Sequence, residues 1–316
     1  MAEASIPVDL FNPGQVFACL GFLEAADVLL GEVEGGFDWN KGGETRFHVR
    51  INSGQNPFAV VLAYLAGVEV QCYAPKDYTD PPKKTKKKVD ASDGDAGGIQ
   101  GPLDFSETFP SPKADSLALP IRLLGTYSGE QLSIPVSHWA DGSGRNDFKL
   151  YAGNRSGADK ARAMLSGTVE KRSKKQTVSG LKTRGLNALW KEQPEELLAR
   201  PFDVLTPIGG SFNFDPRRAW TGIDAGYSPD AQEHAIAASP IVEILAAVGL
   251  EHARPDEFDT RQVRYAAWGV PLPPVLARAA FGGSPLAIPM RRFRFTLDRP
   301  SKYIKIVTFA QEELNA

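Results

Sequence analysis

The sequence predicts an α+β fold on three observations. Two Asn-Pro pairs each open an apolar stretch of helical period, short alternating runs flank those stretches, and strand-like runs return near the C-terminus. Ile6 to Phe11 has the character of a strand, after which Asn12-Pro13 supplies an N-cap and a proline at the first helical position. In the helix that follows, Val16, Cys19, Leu20, Leu23, Ala26 and Leu30 form an apolar stripe, and Glu24 and Asp27 are its charged interruptions. Phe37 to Trp39 and Thr45 to Ile51 are expected strands. In the second of these, Phe47, Val49 and Ile51 alternate with Arg46, His48 and Arg50, which gives one buried face and one polar, basic face. Asn56-Pro57 repeats the start signal before a helix over 58–66, and Val68 to Tyr73 closes the unit as a strand. The order is βαββαβ, the pattern of ferredoxin-like and RNA-recognition folds.

Residues 75–104 change character: Pro81-Pro82 and five lysines between Lys83 and Lys88 lead into Asp, Gly and Ala without period, which marks a flexible insert. Mixed strands and helices follow. Leu117 to Thr126 and Gln131 to Trp139 are an expected strand pair turned by Tyr127 to Glu130, and Ala158 to Leu165 and residues 180–200 are expected helix. Ser239-Pro240 caps an apolar helix through Val248, with Gly249 in the place of a C-cap. Arg261 to Trp268, Arg291 to Thr296 and Tyr303 to Phe309 are expected strands. A boundary after Phe202, where turns begin, divides the chain into an α+β region over 1–202 with the insert at 75–104, and a smaller α+β region over 203–316 packed on it.

A chain of 316 residues with 42% hydrophobic residues can bury a proper core, which excludes disorder of the whole chain. Cys19 and Cys72 each sit in an apolar run and lack a C-x-x-C spacing, so neither a disulfide framework nor a zinc site is expected, and a reducing compartment is. Met1-Ala2-Glu3-Ala4 lacks the basic start of a signal peptide, and the apolar stretches are broken by polar residues. The expectation is a cytoplasmic protein that spans no membrane.

Catalytic signatures are missing where they would be looked for. His48, His138, His234 and His252 make no H-x-x-H or H-E-x-x-H, and there is no G-x-S-x-G, Walker A or dinucleotide fingerprint. Asp215, Asp224 and Asp230 have the residue type of a magnesium site, but Pro216, Gly222, Gly226 and Pro229 mark that stretch as turns capped by carboxylates. His48 or His138 could serve as the general base of a metal-independent ribonuclease. No cofactor, metal or catalytic residue is expected from these patterns.

Charge distribution is the better lead. Residues 145–184 hold eleven Lys/Arg against three Asp/Glu, and residues 224–260 hold eight Asp/Glu against one Arg, so a basic and an acidic stretch nearly cancel in the net charge of −2. Lys160, Arg162, Lys171, Arg172, Lys174, Lys175, Lys182 and Arg184, with Ser and Thr between them, suit a phosphate track. Arg291, Arg292, Arg294, Arg299, Lys302 and Lys305 form a second patch. On a strand, Arg292 and Arg294 share one face, opposite Phe293 and Phe295.

Phe148 to Asn154, Phe212 to Trp220, Ser239 to Leu250, Pro13-Gly14 and Tyr265 to Gly269 resemble segments of type I-U (I-G) CRISPR-associated proteins, the large-subunit-like components of a Cascade-type interference complex. The resemblance implies an antiviral defence subunit that sits with guide RNA, target DNA and other CRISPR-associated subunits, checks the short motif flanking the DNA target and helps recruit the helicase-nuclease. The βαββαβ start favours instead the related RNA-recognition-like backbone proteins, although Gly282-Gly283-Ser284 is too short for their C-terminal glycine-rich loop. Three functions follow: a non-catalytic nucleic-acid-binding subunit, a guide-RNA backbone or processing subunit using His48 or His138, and a protein-interaction scaffold docking a basic partner through its acidic stretch.

Overall fold

In the computed structural model, residues 2–40, 43–72, 121–136, 157–169, 182–207, 211–218, 237–301 and 304–313 are described. The first six elements come in the expected order: β1 (Ala2–Pro7), α1 (Pro13–Leu30), β2 (Glu34–Asp38), β3 (Arg46–Ile51), α2 (Pro57–Gly67) and β4 (Glu69–Cys72). They are followed by the hairpin β5 (Ile121–Tyr127) and β6 (Glu130–Val136), then α3 (Gly157–Ser166), β7 (Thr168–Val169), β8 (Lys182–Thr183), α4 (Leu186–Glu192), α5 (Pro194–Ala199) and β9 (Thr206–Pro207). The last part holds β10 (Ala237–Ala238), α6 (Pro240–His252), β11 (Asp256–Asp259), β12 (Gln262–Trp268), α7 (Pro274–Phe281), β13 (Met290–Ser301), β14 (Ile304–Val307) and β15 (Gln311–Glu312). The segment Phe148 to Asn154 and the insert at 75–104 lie outside the described residues.

The fold is α+β. Its first sheet has the order β1-β3-β2 with both pairings antiparallel, so β1 and β2 run parallel around a central β3: a split βαβ unit crossed by α1. The fourth strand does not complete this sheet. β4 pairs antiparallel with β5 in a separate sheet of order β4-β5-β6. Ser128 and Gly129, both at positive φ, turn the hairpin tightly and present β5 as an edge to β4. The Tyr64 hydroxyl of α2 shares its one proton between the carbonyls of Leu132 (2.8 Å) and Leu123 (3.1 Å), which fixes the helix to that hairpin.

α1 is the centre of the molecule. It is long and apolar enough to cross a membrane by length and composition, but 83% of its residues are buried against protein. Its charged interruption is buried as well: Glu24 is 3% exposed and accepts two hydrogen bonds of 2.6 Å from the Arg278 guanidinium of α7. A buried carboxylate is tolerated because this bidentate partner supplies its counter-charge. Cys19 is fully buried in the same helix, and burial pushes its thiol well above the ordinary range, so it behaves as a core residue.

α6 packs along α1 as a parallel neighbour through two glycines. A Cβ on Gly21 would lie 1.9 Å from the Leu245 carbonyl oxygen, and one on Gly249 would lie 2.2 Å from that of Phe17. Gly249 is therefore no C-cap: α6 continues to His252, and the glycine is there for the close backbone approach. The residues on either side of position 202 share this core. Tyr265 of β12 packs against Phe17 of α1 and donates to the Leu10 carbonyl, and Trp268 packs against Phe37 and Phe47 while its indole N–H donates to the Gly35 carbonyl.

The N-termini of α1 and α6 converge on Asp215. Asn12 caps α1 by accepting from the Gln15 N–H, and Ser239 caps α6 by accepting from that of Val242. The Asp215 carboxylate then accepts from Asn12 Nδ2, from the Ser239 N–H, and from the backbone and guanidinium of Arg217, the shortest at 2.6 Å. Its own N–H donates to Glu243 of α6 at 2.9 Å. An anion at two helix N-termini is favoured by both dipoles and by the unsatisfied first-turn donors.

Candidate nucleic-acid interface

The C-terminal sheet has the order β11-β12-β13-β14, with β15 also on β13. Strand alternation on β13 places Phe293, Phe295 and Leu297 in the core and sends Arg292, Arg294 and Thr296 outward, as the sequence pattern predicts. Register assembles the rest of the outer face: Arg264 of β12 stands opposite Arg294, Ala266 opposite Arg292, Gln262 opposite Thr296, and Gln311 of β15 flanks Arg294 from the other side.

These arginines are not equivalent. Arg264 is held by Glu313 (2.6 and 3.0 Å) and by Asp256 (3.4 Å), and its guanidinium lies 4.2 Å from the ring centre of Phe258, which is 41% exposed. The Glu313 hydrogen bond raises its pKa further, so it is a fixed cation. Arg292 and Arg294 have no ion pair or side-chain hydrogen bond among the described residues, and Arg294 faces Arg264 directly. Arg264 is already offset by Glu313 and Asp256, so the cations of this face that no carboxylate of the described residues answers are Arg292 and Arg294. An anion from outside would supply the missing counter-charge. Arg291, on the opposite face, is by contrast consumed: it pairs with Glu312 at 2.6 and 2.7 Å and lies over Trp39 and Phe293.

The other basic tract is partly structural. Arg162 of α3 donates to Asp159 and to the Val70 carbonyl, which docks α3 on β4. Arg184 is ion-paired with Glu192. Lys160 is half-buried on α3. Lys171, Arg172, Lys174 and Lys175 lie outside the described residues, and Lys182 is described by its backbone alone. The structure thus brings Arg292 and Arg294 together on one face and assigns Arg162 and Arg184 internal partners. Phe258, Arg264 and Gln311 are site residues that the linear pattern does not reveal, because cross-strand register joins them.

The outer face of the first sheet is a different surface. His48 Nδ1 is 3.1 Å from Glu3, and Arg50 donates to the same carboxylate at 3.0 Å. Partial burial works against ionisation of Glu3, but the hydrogen bonds from Arg50 and His48 outweigh it and hold the carboxyl below its ordinary value. Register adds Glu34 opposite Arg50 and Asp38 opposite Arg46, so carboxylates offset the cations, and no exposed aromatic is present on β1 or β3 for base stacking. His138 lies outside the described residues. Among the described residues no group of His, Cys, Asp and Glu could hold a metal ion, and the side chain of Asp215 is fully buried with Arg217 as its counter-charge. Asp224 and Asp230 lie outside the described residues.

Fold and face together define an α+β protein with a guanidinium-bearing sheet surface. No protein-family model, curated protein or solved structure matches the chain.

Proposed function

We propose that this chain is a non-catalytic nucleic-acid-binding subunit of a CRISPR interference complex, acting in the cytoplasm and contacting guide RNA or target DNA through the outer face of the C-terminal sheet. The observation that carries the binding is the pair Arg292 and Arg294, two cations without internal counter-charge beside the Arg264–Phe258 stack. Guanidiniums on alternate residues of a strand are about 7 Å apart, a spacing suited to successive phosphates of an extended strand, and an exposed ring offers a base its π-face. The assignment to an interference complex rests on the resemblance of the sequence. Three of the segments that carry it, around Pro13, Asp215 and Ser239, meet at the Asp215 carboxylate, so what they have in common is the construction of one fold.

The test is titration of labelled single-stranded RNA and DNA with the protein and with an Arg292→Glu/Arg294→Glu variant. Neither side chain is in the core, Arg294 being exposed and Arg292 partly so, and a circular dichroism spectrum like the parent's is expected of the variant. The expected result is a loss of affinity of tenfold or more, on the order of what two phosphate contacts contribute. Equal binding by the two proteins would overturn the assignment of the face.

A further inference from the structure

Both edges of the arginine-bearing sheet face carry an exposed phenyl ring, and the second is put there by an irregularity of the strand. Leu297 pairs with Val307 and Arg294 with Gln311, so Phe295 and Thr296 of β13 stand against three residues, Thr308, Phe309 and Ala310, between β14 and β15. Phe295 and Ala310 are both buried and share the inner face. Thr308 and Phe309 are left opposite the single residue Thr296, which is a β-bulge. The Thr308 N–H and hydroxyl donate to the Thr296 carbonyl at 3.2 and 3.0 Å, and the hydroxyl oxygen accepts from the Thr296 N–H at 3.1 Å. Without the bulge, alternation from the buried Val307 would turn Phe309 into the core. With it, the ring lies on the side of Thr296, the outer face, and is 51% exposed.

Phe258 is its counterpart at the other edge. Asp256 and Asp259 stand opposite Arg264 and Gln262, which in turn stand opposite Arg294 and Thr296. The two rings therefore flank the same stretch of β13 from either side, three strand spacings or roughly 14 Å apart. We infer that Phe258 and Phe309 are base-stacking positions for an unpaired strand: its backbone follows β13 with a phosphate at Arg294, and the nucleotides on either side of that phosphate turn their bases to opposite rings. Arg264 lies over one face of the Phe258 ring, and the base takes the other. This rests on the nucleic-acid reading of the face and adds a ligand class to it, unpaired strand rather than duplex. Inside a duplex the bases follow at about 3.4 Å along each strand and cover one another's faces, so none is open to either ring. A phenyl ring reads no base edge, so the stacking tolerates any base.

The test is titration of the full chain with a labelled unstructured oligonucleotide, an abasic strand of the same length and a closed hairpin duplex. The parent is expected to prefer the base-bearing strand to the abasic one. Phe258→Ala and Phe309→Ala should each weaken the base-bearing strand about tenfold, as loss of one stacked base does. Binding of the abasic strand and of the duplex should not change, nor should the salt slope, because neither ring holds a phosphate. Phe258→Leu and Phe309→Leu keep the apolar bulk without the π-face and should lose nearly as much, which separates stacking from any effect on folding. Ring variants that bind the base-bearing strand like the parent, or that weaken the abasic strand equally, overturn the inference. The two readings fail differently. Loss of affinity in Arg292→Glu/Arg294→Glu with none in the ring variants overturns the stacking and leaves the face, whereas a parent that binds none of the three overturns both.

Discussion

Gly21→Ala is expected to destabilise the protein by about 3 kcal/mol, at the upper end of what an overpacked contact costs. Local propensity alone gives the opposite sign, because alanine in a helix interior is better than glycine by about 1 kcal/mol. The difference comes from the parallel α1–α6 contact. A new methyl would sit 1.9 Å from the Leu245 carbonyl oxygen, so the helices must separate and Phe17, Leu20 and Leu245 lose packing along the seam. Gly67 provides the control: a Cβ there meets nothing within 4 Å, and Gly67→Ala should be neutral or mildly stabilising. Urea unfolding of the two variants reads the sign directly. A Gly21→Ala protein as stable as the parent would mean that α1 and α6 do not meet in this way.

Asp215→Ala is expected to cost more, about 4 kcal/mol, the range for removing one member of a buried ion pair. The side chain is fully buried and its removal strands three groups at once: the Arg217 guanidinium, the Ser239 N–H at the start of α6, and Asn12 Nδ2 at the start of α1. Asp215→Asn keeps the shape and part of the hydrogen bonding but removes the charge, so it should fall between the two. Thermal unfolding of the three proteins checks the order. If Asp215→Ala unfolds like the parent, the convergence of the two helices on this carboxylate is not what holds that end of the core.

Much of this architecture was legible from local pattern. Asn12-Pro13, Asn56-Pro57 and Ser239-Pro240 mark helix starts that the structure confirms with side-chain caps, and the alternation of β3 and β13 correctly divides core from surface. The missed elements lack such signals. α7 begins after Pro273 with no side-chain cap, and all four residues of β11 are exposed, so neither shows an apolar period with a marked start. Pairing of β4 with β5, burial of Glu24 against an arginine 254 residues away, and the use of Gly249 as a contact depend on partners distant in sequence. The same holds for the candidate face. Arg292 and Arg294 were visible as a strand pattern, whereas their significance depends on which arginines find a carboxylate, and Arg162 and Arg184 find one.

Salt dependence of single-strand binding tests the central claim most directly. Each phosphate neutralised on a single strand contributes about 0.7 to the slope of log affinity against log salt. If Arg292 and Arg294 each hold a phosphate, the slope for labelled single-stranded RNA should fall by about 1.4, two contacts at about 0.7 each, when both are changed to glutamine. An unchanged slope, or a parent protein whose binding ignores salt, would contradict the account and move the function from nucleic acid to protein docking.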